Sequence, residues 1–321
     1  MKKPFLWVLV ATLCAMVMPA TAQTWPSKPV RFIVPFGAGA TPDIVARMLA
    51  ERLQARLNQP FVVENKPGAS GNLGTDLVAK AEPDGYTIGM SIPGPLAINT
   101  LLFSKLPYNP STDLVMITRV ADQPSILAVN AQVPVRSAAD LLGLLKREPG
   151  KHNFGSIGTG SLSHLAMEAI ALKAGTTLVH VPYASSPQAV TALIRGDVQF
   201  VCLPAASVVA QEATGKIRLL AVTSAKRSPL LPELPTLKEA DIDVEANAWM
   251  GLVAPAKTPQ AIVDTLQREV AEALKDPQIR EKLKANYMEP IGSTPAEFRA
   301  FIDSEMKFWT PVIETGHIRI N

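Results

Sequence analysis

The chain has 321 residues, 47% of them hydrophobic, with 31 lysines and arginines against 28 acids and a formal charge of +3. Without Lys2 and Lys3 of the opening segment the charge is +1, a near-neutral balance that excludes a broadly basic nucleic-acid surface. Cys202 is the one cysteine beyond that segment, so no internal disulfide is expected, and the run Phe200-Val201-Cys202-Leu203 marks it as a buried small hydrophobe.

Lys2 and Lys3 precede an apolar run, Phe5 to Met18, and Ala20-Thr21-Ala22 supplies a small-x-small cleavage pattern. The run is shorter than the roughly 18 to 20 apolar residues that cross a bilayer. Residues 1–22 are therefore expected to be a cleaved signal peptide, which places the mature protein in the periplasm. Cys14 follows the bulky Leu13, which does not suit a lipoprotein site. The roughly 300 remaining residues suffice for two domains of about 150 each.

Val30 to Val34 reads as a strand ending at Pro35, followed by the small-residue turn Gly37-Ala38-Gly39-Ala40. Thr41-Pro42-Asp43 then reads as a helix start, with Thr41 as N-cap. Ile44, Met48, Leu49, Leu53 and Leu57 fall on one helical face, opposite Arg47, Glu51, Gln54 and Arg56. Phe61 to Val63 is the next strand, so this is a βαβ unit with parallel strands. The glycine-rich turn Gly68-Ala69-Ser70-Gly71-Asn72-Leu73-Gly74 leads into a short helix, and Tyr86 to Met90 is another strand. A second set follows: a strand at Ile126 to Val129, a helix capped at Ser137, Asn153 to Gly155, and Gly158-Thr159-Gly160-Ser161 opening a helix through Ala174. Leu178 to Val181, a helix from Pro187 to Arg195 and a strand from Val198 to Leu203 complete it. The C-terminal third is helical, with start signals at Thr258-Pro259 and Thr294-Pro295-Ala296-Glu297, the latter a capping box. A polar segment near 225–245 and a returning strand from Trp249 to Val253 imply two lobes joined by crossing strands: 23–124 with 247–321, and 125–246.

Catalytic signatures are missing. His152, His164, His180 and His317 lack metal-site spacing. No G-x-S-x-G surrounds Ser91 or Ser161. A dinucleotide reading of Gly37-x-Gly39 fails at Pro42, which stands where the third glycine belongs. No cofactor or metal is expected. What recurs is strand, small-residue turn and helix start, at Phe36 to Thr41, Gly68 to Gly71 and Gly158 to Ser161. Such turns expose N–H groups beside the positive end of a helix and can hold a carboxylate without lysine or arginine.

An ordered series of motifs runs along the chain: Trp25-Pro26-x-Lys28-Pro29-Val30-Arg31, Val34-Pro35-Phe36 with Asp43-Ile44-Val45-Ala46-Arg47, and Val63-Glu64-Asn65-Lys66-Pro67-Gly68-Ala69-Ser70-Gly71-Asn72. Pro83-Asp84-Gly85-Tyr86-Thr87, Phe154-Gly155-Ser156 with Gly158 and His164, His180-Val181-Pro182-Tyr183, Leu220 to Ser228, Pro232-x-x-Pro235-Thr236 and Ala254-Pro255-Ala256 continue it. In these the chain resembles the solute-binding receptors of tripartite tricarboxylate transporters, also called the Bug family. The resemblance implies an α/β, two-lobed type II periplasmic binding protein fold, a Venus flytrap with a sheet flanked by helices in each lobe. It implies capture of a small organic carboxylate and delivery to the subunits of an ion-gradient-driven membrane transporter, by a monomer with no enzymatic activity.

Carried over by position, the first-lobe contacts would be Phe36, Gly39, Ala40, Thr41, Ser70, Gly71, Ser91 and Ala97, and the second-lobe contacts Ser156, Thr159, Ser161, Tyr183 and Ser186. Asp43 matches a common family acid, although it equally suits orienting its own helix. The chain departs from the family pattern at Ala40, at Pro42, at Ala184-Ser185 and at Leu203-Pro204-Ala205, where the usual aspartate is missing. These changes imply a less polar site that favours an aromatic or less charged acid. Two other readings are a periplasmic sensor feeding a signalling protein and an exported hydrolase, for which a nucleophile–base pair is missing.

Overall fold

The computed structural model describes residues 25–320; the expected signal segment, with Cys14, lies outside them. Two sheets are formed. The first has the order β11-β4-β10-β3-β1-β2, from β1 (Val30–Val34), β2 (Phe61–Asn65), β3 (Thr87–Ser91), β4 (Leu114–Gln123), β10 (Ala248–Pro255) and β11 (Glu289–Pro290). The second has the order β7-β6-β8-β5-β9, from β5 (Ser125–Asn130), β6 (Asn153–Ser156), β7 (Val179–Pro182), β8 (Phe200–Pro204) and β9 (Ile217–Val222). The parallel β1–β2 pair starts with Val30 opposite Phe61, as the βαβ reading requires. Both sheets are mixed, because β10 runs antiparallel to β3 and β4, and β5 antiparallel to β8 and β9.

Strand alternation distributes the apolar residues over two faces of each sheet. Phe32 and Val34 pack with Leu49, Ile88 and Leu252 on one side of the first sheet, while Ile33 packs with Val78, Leu96 and Trp249 on the other. In the second sheet Leu127, Val129, Phe200 and Cys202 face one cluster, and Ile126, Ala128, Val201 and Leu203 the opposite one. Cys202 is fully buried and its thiol is pushed up to about 12 by that burial, so it is an inert part of the core.

Helix α1 (Thr41–Leu57) begins one residue earlier than its sequence signals imply. Ala40, in extended conformation, occupies the cap, and Thr41 is the first helical residue with no capping bond from its side chain. Met48, Leu49 and Leu53 are buried as expected, but Ile44 in the first turn is 40% exposed. Helices α2 (Asn72–Ala79), α3 (Asn99–Leu102), α4 (Ala138–Arg147), α5 (Leu162–Ala174), α6 (Ser186–Arg195), α7 (Ala205–Val208), α8 (Gln260–Ala273), α9 (Pro277–Lys284) and α10 (Pro295–Thr315) follow. Ser137 caps α4 by accepting the Asp140 N–H, and Thr294 with Glu297 forms the expected capping box of α10. Thr258 caps nothing, since Pro259 holds the cap position of α8.

The chain crosses between sheets at Pro124, between β4 and β5, and again through Ala246-Asn247 into β10. Thr223, at the end of β9, ties the two crossings together. Its hydroxyl accepts the Ser125 N–H at 3.2 Å and lies 3.0 Å from the carbonyl oxygen of Ala246. Helix α10 also spans both halves: Phe298 and Ile302 pack with the first sheet, and Trp309, Val312 and Ile313 with the second.

Candidate functional site

The bend after β1 is shaped by glycine and by one buried acid. Gly39 adopts φ +80°, a conformation an L side chain resists, and Ala40 N–H closes the turn on the Gly37 carbonyl at 3.2 Å. Asp43 is almost fully buried. Its Oδ2 accepts the Gly39 N–H at 2.8 Å and the Arg47 Nε–H at 3.1 Å, while Oδ1 accepts from Asn65 at 2.9 Å. Burial pushes this carboxyl up, but the bonds from Arg47, Gly39 and Asn65 outweigh it and hold the group below its usual range. Asp43 therefore holds the bend in shape, and the Arg47 cation is spent on Asp43 and Asn65. Phe36 is half-buried; the Asn65 amide donates to its carbonyl at 2.9 Å.

The second bend stores backbone strain. Ala69 and Ser70 both adopt left-handed φ, at 46° and 55°, which costs of order 1–3 kcal/mol each and recurs at ligand clamps. Gly71, at φ +90°, lies beneath Phe36 and Pro95: a β-carbon there would sit 2.9 Å from each side chain. Thr75 fixes this bend from below, donating to the Gly71 carbonyl at 3.0 Å with Ser91 Oγ 3.2 Å away. After β3, a π-helical turn from Gly94 to Ile98 runs into α3. It is anchored by Asn99 donating to Asn72 at 2.6 Å and by the Tyr108 hydroxyl donating to the Pro95 carbonyl at 2.9 Å.

The third bend follows β6. Ser161 caps α5, accepting the His164 N–H, and its hydroxyl donates to the Gly158 carbonyl at 2.6 Å. Gly160, at φ +76°, donates its N–H to His164 Nδ1 at 3.0 Å. A β-carbon on Gly160 would lie 2.6 Å from both Leu102 at the end of α3 and Ile320. The first two bends thus adjoin where Phe36, Gly71 and Pro95 meet, and the helical turns after Pro95 run on to Leu102, which packs against Gly160 of the third. Among the described residues, the N–H groups of Ala38, Thr41, Ala69, Ser70, Thr159 and Leu162 are given no protein acceptor.

The candidates differ in what they can offer. Gly39, Ser70 and Thr159 are exposed, and Phe36, Ala40, Thr41, Ser161, Tyr183 and Ser186 are half-buried. Ala97 and Ser156 are wholly enclosed and Ser91 nearly so. Ala97 sits in the apolar cluster with Ile33 and Trp249, so it supports the loop from inside. Ser156 Oγ is taken up by the Gly158 N–H at 3.1 Å and by His180 Nε2 at 2.6 Å. Ser156 itself has no solvent exposure, while His180 is half-buried. Ser161 Oγ instead bonds the Gly158 carbonyl and Ser163 Oγ, while His164 Nδ1 accepts from Gly160. Tyr183 N–H donates to the Ser156 carbonyl at 2.9 Å, and its ring borders an open concavity of about 360 Å³ together with Gln188, Thr191 and Arg195 on α6. Thr75, Asn65 and the Asn72–Asn99–Tyr108 network carry no local sequence signal, since each acts through partners from other elements.

Residues 45–318 match the tripartite tricarboxylate transporter family receptor. Protein BugT of Bordetella pertussis is 35% identical over 312 residues, covering 96% of this chain and 95% of BugT. An R. palustris protein solved with adipate is 35% identical with a TM-score of 0.80, over 92% of this chain and 99% of that one. MatC from Rhodopseudomonas palustris, solved with bound malate, is 28% identical with a TM-score of 0.76, over 90% of this chain and 100% of that one. The aliphatic sulphonate binding protein SsuA of Escherichia coli, 15% identical with a TM-score of 0.53, shares the fold. With the family model matching residues 45–318, similarity along nearly its whole length and a shared two-sheet scaffold, this chain belongs to the tripartite tricarboxylate transporter receptor family of periplasmic binding proteins.

Proposed function

We propose that this protein captures a small organic carboxylate between two lobes, 23–124 with 247–321 and 125–246, and delivers it to a tripartite membrane transporter. The observation that carries this reading is the contact of the first two bends at Phe36, Gly71 and Pro95, with the third linked to them through Leu102, and the uncommitted N–H groups at or near their helix starts. Main-chain dipoles of this kind attract an anion without a charged side chain. The adipate and malate bound by the two solved relatives support a carboxylate as the ligand. Closure follows from the architecture: a ligand that bridges both lobes shifts an open–closed equilibrium toward the closed state. The protein acts as a monomeric receptor without turnover, exported to the periplasm behind residues 1–22.

The lining favours a less polar acid. Phe36 and Pro95 close over Gly71, and β8 ends at Pro204 before the buried Ala205 that opens α7, with no carboxylate side chain at either position. A thermal-shift panel of adipate, malate, citrate and benzoate tests both statements. A ligand at about a hundred times its dissociation constant adds roughly 2.7 kcal/mol to stability. Capture of a carboxylate predicts a clear rise in melting temperature for at least one acid, and the less polar site predicts benzoate above citrate. No shift with any acid refutes the first; citrate binding far more tightly than benzoate refutes the second.

A further inference from the structure

The bends before α1 and α5 are one structure built twice. In Gly37-Ala38-Gly39-Ala40 and in Gly158-Thr159-Gly160-Ser161 the fourth N–H closes on the first carbonyl, at 3.2 and 3.1 Å. The third residue is glycine at φ +80° and +76°. The cap residue has φ −67° in both, with ψ 155° and 157°. In each, the acceptor for the third residue's N–H is the side chain four positions on: Asp43 Oδ2 at 2.8 Å and His164 Nδ1 at 3.0 Å. Drawing that N–H inward leaves the equivalent donors of Ala38 and Thr159, and of Thr41 and Leu162, for an external anion.

The two acceptors differ in charge. Asp43 is ionised, and its charge is spent on Arg47. His164 accepts at Nδ1, so it is neutral with its proton on Nε2, which faces Glu168 at 3.5 Å. Its ring stacks 3.8 Å from His180, which stacks in turn on Phe154. Burial lowers His180 to about 4, which keeps that partner uncharged as well.

We propose that Asp43 and His164 are matched positioning residues, one in each lobe, which lock two copies of an anion-holding bend, and that the second copy needs an uncharged acceptor. This rests on the reading that the bends grip a carboxylate.

The test uses the full mature chain with His164→Asn, His164→Asp and His164→Leu. Asn and Asp have the reach that Asp43 demonstrates in the first bend. Nitrogen-15 spectra of the wild type should show His164 bare at Nδ1 and protonated at Nε2. The Gly160 amide should stay protected from exchange in H164N and H164D and lose protection in H164L. With adipate as the probe, H164N should bind within about threefold of wild type, while H164L loses about tenfold or more, as expected when a buried donor is orphaned. H164D should keep the protection yet bind adipate more weakly, because its charge lacks an arginine, so the proposal stays testable if H164L does not fold. A proton on Nδ1, unchanged protection in H164L, or H164N as impaired as H164L overturns the proposal. A wild type that binds none of adipate, malate and benzoate overturns the carboxylate reading instead, and the exchange pattern then supports the lock by itself.

Discussion

Glu305 of α10 accepts the indole N–H of Trp249 on β10 at 3.1 Å, and the same carboxylate oxygen receives Trp309 from one turn further along its own helix at 3.4 Å. Trp249 belongs to the core against the first sheet and Trp309 to that against the second, so one buried acid joins the two halves. Burial raises Glu305 from an ordinary 4.5 to about 7, against the two indole bonds and with help from Glu245 and Asp122. A raised carboxyl favours the protonated fold. Its stabilising effect is complete below about 4.5 and is lost as pH rises through 7. The loss is on the order of 3 kcal/mol by this group alone. Glu305→Gln keeps an acceptor and removes the charge, so its melting temperature should fall less than the wild type's between pH 5 and 8. Parallel curves would refute this.

His180 acts with the opposite sign over nearly the same pH window. Its lowered value, about 4 against an ordinary 6.5, means that stability is present above 6.5 and lost as pH falls toward 4. The two groups therefore offset each other between about 4.5 and 6.5, and removing either one should expose the slope of the other. His180→Phe retains a ring to stack between Phe154 and His164 but cannot titrate, and its melting temperature should fall more steeply than the wild type's as pH rises through that window. A slope equal to the wild type's would exclude His180 as a contributor.

Thr223→Val tests the knot between the crossings. The substitution keeps the shape but removes the hydroxyl that holds Ser125 and Ala246. Unfolding by urea should show a loss of about 1–3 kcal/mol, the penalty for orphaned buried polar groups. A change below a few tenths would mean that the crossings are held by packing alone.

Gly71→Ala should harm both stability and binding. The new methyl meets Phe36 and Pro95 at 2.9 Å, and the residue must adopt φ +90°. Destabilisation of about 1–3 kcal/mol is expected from the backbone conformation. Adipate affinity should fall alongside, because Phe36 must move. Ser70→Ala, on the exposed crest of the same bend, should leave stability within about half a kcal/mol, which calorimetry can check against Gly71→Ala.

The strands at Val30–Val34 and Ile126–Val129, the capping box at Thr294 and Glu297, and the three small-residue bends were legible because short apolar runs, capping and turn chemistry act within a few residues. Even there, the cap of α1 fell on Ala40 instead of Thr41: Pro42 has no N–H to cap, the Asp43 N–H bonds the Ala40 carbonyl at 2.9 Å, and the Asp43 side chain fixes the bend through the Gly39 N–H. The ten-residue β4 escaped notice, since Thr118, Arg119 and Asp122 interrupt its apolar run and its place depends on pairing with β10, more than a hundred residues away. Ala97 and Ser156 carry the marks of site residues in sequence, yet packing encloses them.

By itself, then, the order of residues determined which segments turn, cap and alternate, and with them the kind of ligand that exposed main-chain donors suit. Only the tertiary structure decided that Thr223 ties two crossings, that Glu305 serves two tryptophans, and that Gly39 and Gly160 share one geometry. These depend on side chains brought together from distant positions, and the free energy of such contacts exists only once the chain has paid the entropy of bringing them there.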